Sequence, residues 1–389
     1  MCVWLMCSSR RVFLSASVWC GKTVVGSGIK PMPQQTKGME ARLTIAIPTF
    51  NRAAKLRAQL DRLAPQLTPE VRCFVCDNAS TDETRQVVEK YNSRGIAYTC
   101  AFYNGGAGRN MLRCFEECQT EWLWVLCDDD LVSAHAVSDA LALVRDQPCD
   151  YIHTLPLLAQ CDSEIVVSDV GRLLKHYNIG RLLWMSLGLY KMSSFRPLLW
   201  LYNDSLSTWG AHLVMVLALL ERQGGKVLLS PTGLISESNN LCRWSTLDFI
   251  VRFSHLPDYL VRPEHQKVMA EQIWLQCVTG ALLAGLRETS GPVQIRKWQQ
   301  IQRSVGRNLR AYHARPLWVY VARNWFRPGH RRPSLVLLQS AMVLAPLRWC
   351  PLPLFRPLLK ILSPLLKALP DEFVSENLSA TDKEYVSTY

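Results

Sequence analysis

Short apolar runs alternate with helical stretches along the first third of the chain, and this alternation constrains the fold more than any other feature. Strands are predicted at 43–47, 71–76, 96–102 and 122–126, with helices at 53–67, 81–92 and 110–118 between them. Strands connected through helices in this way form a mostly parallel sheet. We therefore predict an α/β fold whose sheet is flanked by helices.

The segments that follow these strands are rich in polar side chains. Residues 49–52 read Thr-Phe-Asn-Arg, residues 77–82 read Asp-Asn-Ala-Ser-Thr-Asp, and residues 128–130 read Asp-Asp-Asp. Open α/β sheets bind ligands in the crevice beyond the carboxyl ends of their strands. We expect the three segments to meet there and to form the ligand site.

The three adjacent carboxylates of Asp128, Asp129 and Asp130 repel one another unless a cation neutralises them. Their hard oxygen atoms suit Mn²⁺ or Mg²⁺. A metal ion at this place would bridge a diphosphate and stabilise the charge on a leaving group. The simpler alternative is that Asp130 caps the next helix while the other two acids are solvated.

Two further segments favour a nucleotide ligand. Residues 77–82 offer carboxylate and amide groups to a nucleobase and ribose, and Ser80, Thr81 or Asp82 can also cap the helix that follows. Residues 104–110 read Asn-Gly-Gly-Ala-Gly-Arg-Asn and open another predicted helix. Their glycines let the backbone approach a ligand closely, and Arg109 can hold phosphate there.

In this order and spacing, the motifs at 48–52, 77–82, 104–110 and 128–130 resemble those of family 2 glycosyltransferases of the GT-A type. The resemblance is greatest to bacterial abequosyltransferase-like members that build surface polysaccharides. It covers residues 42–131 well and the remainder loosely. The resemblance implies a Rossmann-like GT-A fold, a nucleoside-diphosphate-sugar donor and a saccharide or lipid-linked saccharide acceptor.

The resemblance also implies roles for individual residues. Thr49 and Asn51 would line the nucleotide pocket, Asp77 would contact the base, and Asp128 would lie by the ribose and diphosphate. Asp130 would bind the metal together with Asp128, whereas Asp129 would serve either role. We add Arg52, Asn78, Arg109 and Asn110 to the predicted donor site because they belong to the same motifs.

The resemblance further implies an inverting reaction, in which a side-chain base removes the proton of the acceptor hydroxyl. Related enzymes take this base from an acidic pair in the acceptor half, but no clear Glu-Asp pair lies between Leu131 and Trp244. Asp204 is our first choice, with His212 and Glu237 as alternatives. Each of the three is also a common type of surface or capping residue.

We predict three regions along the chain. Residues 39–245 would form the catalytic domain, with a nucleotide-sugar half at 39–131 and an acceptor half at 132–245. Residues 246–389 would form a mainly helical extension. Residues 1–38 lack clear periodicity, so we expect them to be disordered or to precede a native start at Met39.

The helical extension is strongly basic. Residues 287–367 contain 15 Lys and Arg side chains and one acid, Glu288. The longest charge-free run, 333–347, has 15 residues, whereas about 20 are needed to span a bilayer. This composition favours contact with an anionic membrane surface, although a helix pair docked on the catalytic domain is the alternative. Nucleic-acid binding is not expected because no recognised motif accompanies the charge.

Scattered cysteines in apolar runs indicate buried thiols, so we expect a cytoplasmic protein on the inner face of the cytoplasmic membrane.

Two other functions compete with sugar transfer. A nucleotidyltransferase would carry a glycine-rich basic loop after the first strand, where this chain reads Pro-Thr-Phe-Asn-Arg. A catalytically inactive membrane-associated partner would explain the missing acidic pair, but the intact acidic cluster at 128–130 argues against it.

Overall fold

The computed structural model describes residues 41–145, 148–154, 164–177, 179–238, 246–278, 282, 285, 291–312, 342–344, 346–347 and 350–367. The predicted N-terminal segment 1–38 and residues 313–341 of the basic segment 287–367 therefore lie outside the described residues. The subdivision at residue 245 stays a prediction.

The first half of the chain alternates strands and helices as predicted. The elements are β1 (Leu43–Thr49), α1 (Ala53–Leu63), β2 (Val71–Asp77), α2 (Thr84–Glu89), β3 (Ile96–Cys100), α3 (Ala107–Glu117), β4 (Trp122–Val125), β5 (Asp130–Val132) and α4 (Ala136–Val144). Helix α2 begins three residues later than predicted, because residues 77–82 are used for contacts between loops. Helix α3 begins earlier, directly after the glycine-rich turn.

The second half is richer in short elements. They are β6 (Tyr151–Thr154), β7 (Ile165–Val167), α5 (Val170–His176), α6 (Ile179–Leu182), β8 (Gly188–Lys191), α7 (Met192–Phe195), α8 (Leu199–Asp204), α9 (Ala211–Gln223), β9 (Val227–Ser230) and β10 (Ile235–Ser238). The helical region that follows contains α10 (Thr246–Phe253), α11 (Pro263–Gln272), α12 (Pro292–Ala311) and α13 (Leu352–Lys367).

In the described part of the chain, eight strands form one mixed sheet in the order β3-β2-β1-β4-β8-β6-β9-β7. Strands β3, β2, β1 and β4 are parallel, as predicted, but β8 runs antiparallel to both β4 and β6. Strands β5 and β10 pair antiparallel in a second, small sheet. The sheet is thus mixed, because an apolar run predicts a buried strand but not its direction.

Alternate residues of the strands face two apolar layers. Leu43, Ile45 and Ile47 of β1 pack with Leu56 of α1 on one face, whereas Ala46 belongs to the layer on the other face. This alternation is the expected consequence of the two-residue period of a strand. Strand β1 is therefore buried along its whole length, and Thr49 stands at its carboxyl end.

Candidate functional site

The ends of β1 and β4 are tied together at the sheet edge. The Thr49 hydroxyl donates to Asp128 Oδ2 at 2.7 Å, and Arg52 Nη1 donates to Asp128 Oδ1 at 2.9 Å. Arg52 also reaches Asp129 Oδ2 at 3.1 Å, and Lys55 Nζ lies 3.4 Å from the same oxygen. Arg52 in the loop after β1 and Lys55 in α1 thereby supply positive charge to the acidic segment.

Burial and neighbouring charges shift the pKa values of Asp128 and Arg52 in opposite directions. Burial raises the pKa of Asp128, and Asp129 raises it further, while Arg52 and Thr49 lower it; the net shift is upward. Burial alone would lower the pKa of Arg52, but Asp128 and Asp129 raise it above its ordinary value. The guanidinium therefore stays charged beside the acids.

Asp130 faces a different set of partners. Its Oδ2 accepts from the Trp184 indole at 2.7 Å and from the Ser186 hydroxyl at 2.6 Å. The Ser186 hydroxyl oxygen in turn accepts from the backbone N–H of Cys127 at 2.9 Å, and Gln59 donates to the Asp130 carbonyl at 2.7 Å. The Asp130 carboxylate is thus held in a fixed orientation from the segment that precedes β8.

The three acids do not converge on one point. Asp128 is turned towards β1 and Asp130 towards Trp184, because the chain turns at Asp128 and Asp129 before β5 begins, so the two side chains do not share a face as alternate residues of a strand would. No group of three or more His, Cys, Asp or Glu side chains is placed to hold a metal ion within the described ranges. One or two carboxylates suffice for Mg²⁺ when substrate phosphates and water complete its shell. Asp128 and Asp130 supply carboxylates of this kind, and their role as metal ligands stays a prediction.

Asp77, the last residue of β2, is completely buried. Its Oδ1 accepts from the backbone N–H and the hydroxyl of Ser80, at 3.1 and 2.6 Å, and its Oδ2 accepts from the Tyr98 hydroxyl at 2.6 Å. Burial and the bond to Asp77 raise the pKa of Tyr98, so this phenol remains a donor. The predicted contact of Asp77 with a nucleobase stays a prediction.

The loops after β1 and β2 are bonded to each other. The Asn51 backbone donates to the Ser80 hydroxyl at 2.8 Å, and Asn51 Oδ1 accepts from the backbone N–H of Thr81 at 2.8 Å. Asn51 and Ala79 adopt positive φ angles of 51° and 65°, a conformation that is uncommon for residues other than glycine. Strained backbone of this kind concentrates at ligand sites.

Asp82, one of the three predicted capping residues, binds backbone N–H groups at the starts of two helices, although Glu83 directly precedes α2. Its carboxylate accepts from the backbone N–H of Ala53 at the start of α1 and of Thr84 at the start of α2, each at 3.0 Å. Partial burial opposes this arrangement, but the hydrogen bonds prevail and lower the pKa of Asp82. Both helices are thereby positioned from one carboxylate.

The glycine-rich turn packs against the end of β2. Asn78 Nδ2 donates to Asn104 Oδ1 at 2.6 Å, and Asn78 Oδ1 accepts from the Gly105 N–H at 3.0 Å. Gly106 has a φ of 85°, which glycine adopts without strain, and it directly precedes α3. The amide of Asn78 is therefore used to position the start of α3.

Asn110 and Arg109, both in the first turn of α3, point to different places. Asn110 is buried and donates to the carbonyls of Cys76 at 2.8 Å and Thr49 at 3.4 Å, while its oxygen accepts from Arg113. Arg109 is exposed and donates to Asn203 Oδ1 at 2.6 Å. Asn110 thus ties α3 to two strand ends, and Arg109 brings the end of α8 to the same edge of the sheet.

The three candidate bases differ in their surroundings. Asp204 is exposed at the end of α8, next to Asn203. His212 is enclosed at the start of α9, where its Nε2 lies 3.3 Å from the Leu182 carbonyl, and burial lowers its pKa to about 4. Glu237 lies in β10, opposite Leu131 of β5. A base must reach its substrate proton, which favours the exposed Asp204 over His212.

Sequence reasoning missed the residues that hold the acids in place. Trp184 and Ser186 bind Asp130, Lys55 contacts Asp129, and Tyr98 binds Asp77. None of them belongs to a motif with a fixed spacing from the acids. Only Lys55 could have been suspected from the sequence. It lies four residues after Asn51, at the start of α1, so its positive charge faces the same crevice.

Residues 44–167 match the family model described as glycosyl transferase family 2. Poly(ribitol-phosphate) β-N-acetylglucosaminyltransferase TarS of Staphylococcus aureus is 28% identical over 115 residues, which are 28% of this chain and 20% of the relative. Validoxylamine A glucosyltransferase of Streptomyces hygroscopicus subsp. limoneus is 42% identical over 72 residues, 18% of this chain and 16% of the relative. The similarity thus spans a fifth or less of these relatives.

The similarity in structure extends further along the chain. A crystal structure of residues 1–349 of S. aureus TarS in complex with UDP covers 82% of this chain and 90% of that chain, with a TM-score of 0.53 and 16% identity. At this identity the likeness concerns the fold, and it confirms the predicted α/β GT-A architecture. The finer resemblance to abequosyltransferase-like members stays a prediction.

Proposed function

We propose, from the premise that residues 44–167 form a family 2 glycosyltransferase domain, that this protein transfers a sugar from a nucleoside-diphosphate sugar to a saccharide acceptor. The observation that carries the proposal is the meeting of the ends of β1, β2 and β4 with the start of α3. Acids, cations and strained loops gather at that edge of the sheet.

Within this proposal, the donor lies along that edge. Its diphosphate is placed between Asp128 and Asp130 on one side and Arg109 at the start of α3 on the other. Asp128 and Asp130 would hold Mn²⁺ or Mg²⁺, which stabilises negative charge on the departing nucleoside diphosphate. Thr49, Arg52 and their partners keep the Asp128 carboxylate oriented, and Trp184 and Ser186 do the same for Asp130.

The remaining donor contacts belong to the loops after β1 and β2. Asn51, Asp77 and Asn78 would face the nucleoside, supported by the hydrogen bonds that join the two loops. Uridine nucleotides are the first to test, because the TarS structure similar to this chain contains UDP. Arg52 and Asp129 would complete the polar wall of the site.

We assign proton removal to Asp204 in an inverting transfer. Asp204→Asn is expected to lower sugar transfer by about two to four orders of magnitude, because general base catalysis contributes roughly that factor. The donor dissociation constant should stay within about twofold, since Asp204 lies outside the donor contacts. Steady-state transfer and calorimetric donor binding would be measured on the same preparation, with Asp258→Asn as the surface control. Near-normal transfer by Asp204→Asn would remove Asp204 from this role.

The acceptor is proposed to be a growing saccharide, lipid-linked and met at the inner face of the cytoplasmic membrane. The name of the staphylococcal relative gives a polymer of ribitol phosphate as its acceptor. The basic helical extension of this chain suits a substrate at an anionic membrane. Synthesis of a bacterial surface polysaccharide, such as O-antigen, capsule or exopolysaccharide, is the corresponding process.

A donor panel tests the proposal directly. Calorimetric titration with UDP, GDP, dTDP and their sugar conjugates is expected to show binding of one nucleotide class, strengthened by Mn²⁺. The conjugate that binds should also be hydrolysed slowly when no acceptor is present. Thermal unfolding would confirm that the sample is folded. A folded protein that binds no member of the panel would instead indicate the inactive-partner function.

A further inference from the structure

We infer that the outer face of α13 (Leu352–Lys367) docks on an anionic lipid bilayer surface. The inference rests on the proposed function only for the location of the acceptor. It identifies a partner-binding face by its residues: Leu354, Pro357, Ile361 and Pro364, with Arg356 and Lys360 beside them. This set is called the α13 outer face below.

The α13 outer face combines apolar exposure with helical spacing. Leu354 and Ile361 are 58% and 72% exposed, and Pro357 and Pro364 are exposed as well. Their spacing of three, four and three residues places them along one side of the helix. Large apolar side chains exposed along one stripe indicate a surface that meets a partner.

The opposite face of α13 is already occupied by the protein. Phe355 is fully buried and packs edge-on against Trp298 of α12, with ring centroids 6.0 Å apart. Gln299 of α12 donates to the carbonyls of Leu347 and Cys350 at 3.1 and 2.9 Å, just before α13 begins. The α13 outer face is thus the exposed side of a helix whose other side packs on the protein.

Charge identifies the kind of partner. Helix α13 contains Arg356, Lys360 and Lys367 and no acid, and α12 contains five basic residues and no acid. A surface that is both cationic and apolar matches anionic headgroups above an acyl layer. A second copy of the same helix would place like charges together and is disfavoured.

Two prolines in α13 limit how deeply the helix can lie in the bilayer. Proline has no N–H, so Pro357 and Pro364 leave the carbonyls of Pro353 and Lys360 without their helical donors. Water in the headgroup region supplies such donors, whereas the hydrocarbon interior does not. In the part of the chain that the structure describes, no helix is long and apolar enough to cross a bilayer. An interfacial position in the plane of the headgroups satisfies both observations.

Vesicle sedimentation of the full chain tests the inference without donor or acceptor. The protein is expected to sediment with equimolar phosphatidylglycerol and phosphatidylcholine vesicles and far less with phosphatidylcholine alone. Leu354→Glu with Ile361→Glu should weaken binding at least about a hundredfold, because two apolar anchors are lost. Arg356→Gln with Lys360→Gln should weaken it about thirtyfold at low salt, since each charge contributes roughly 1 kcal/mol.

The matched control is Val166→Glu with Val261→Glu, which alters two apolar residues that are 52% and 61% exposed elsewhere. Equal sedimentation of the Leu354/Ile361 variant and the native chain would overturn the inference, as would equal loss in the control. A dimer in light scattering that the Leu354/Ile361 variant dissociates, with vesicle binding unchanged, would identify a second copy as the partner instead.

The outcome of the vesicle experiment does not depend on whether the protein transfers sugar. A chain that binds no nucleotide but loses vesicle binding in the Leu354/Ile361 variant would refute the proposed function and support this inference. A chain that transfers sugar to a soluble acceptor but does not bind anionic vesicles would support the proposed function and refute this inference. Unchanged thermal unfolding of the variants would show that the helix is still docked through Phe355.

Discussion

Asp130→Asn is expected to lower sugar transfer by about two to three orders of magnitude and to remove the effect of Mn²⁺ on donor binding, while the fold stays nearly intact. The amide oxygen of Asn can still accept from Trp184 and Ser186, so their bonds are retained. The negative charge that a cation requires is lost. Calorimetry with and without Mn²⁺ and steady-state transfer would measure the two effects.

Asp130→Ala separates the chemical role from the structural one. It leaves the part-buried Trp184 and the buried Ser186 donors without this acceptor, which should cost about 3 kcal/mol of unfolding free energy. Transfer should fall as far as in Asp130→Asn. Full metal-dependent transfer by Asp130→Asn would show that Asp130 positions the segment around Ser186 and does not hold the metal.

Trp124→Ala is expected to lower the free energy of unfolding by about 3–5 kcal/mol. Trp124 is completely buried in β4, between β1 and β8, and its indole donates to the Ser186 carbonyl at 2.8 Å. The substitution removes a large apolar side chain and the support of the segment that orients Asp130. Urea unfolding would give the stability, and donor binding should weaken in the same variant.

Trp124→Phe is the matched control, because it retains most of the apolar volume and removes the hydrogen bond. We expect a loss of about 1–2 kcal/mol, and Trp200→Ala, at a position that is 58% exposed, should cost less than about 1 kcal/mol. Equal stabilities for Trp124→Ala and Trp200→Ala would contradict the complete burial of Trp124 between β1 and β8.

The elements that could be predicted share one property: each has a hydrophobic pattern that is long compared with the uncertainty in the position of its ends. Strands β1 to β4 and helices α1 and α3 each follow an apolar run of clear period, and the polar ends of the strands follow from it. A contact of Ser80, Thr81 or Asp82 with a helix start was also predictable, since their motif lies close before a helix, and Asp82 makes it. The direction of β8 was not, because it depends on neighbours that are far apart in sequence.

The α/β class and the resemblance to family 2 glycosyltransferases could be predicted from the sequence by itself, because strand period and motif order are local properties of the chain. Only the tertiary structure decided which way each acid points. Asp128 meets Thr49 and Arg52 through strand pairing, whereas Asp130 meets Trp184 and Ser186 across more than 50 residues. The partner of a buried carboxylate is chosen by packing, and packing is set by the whole fold.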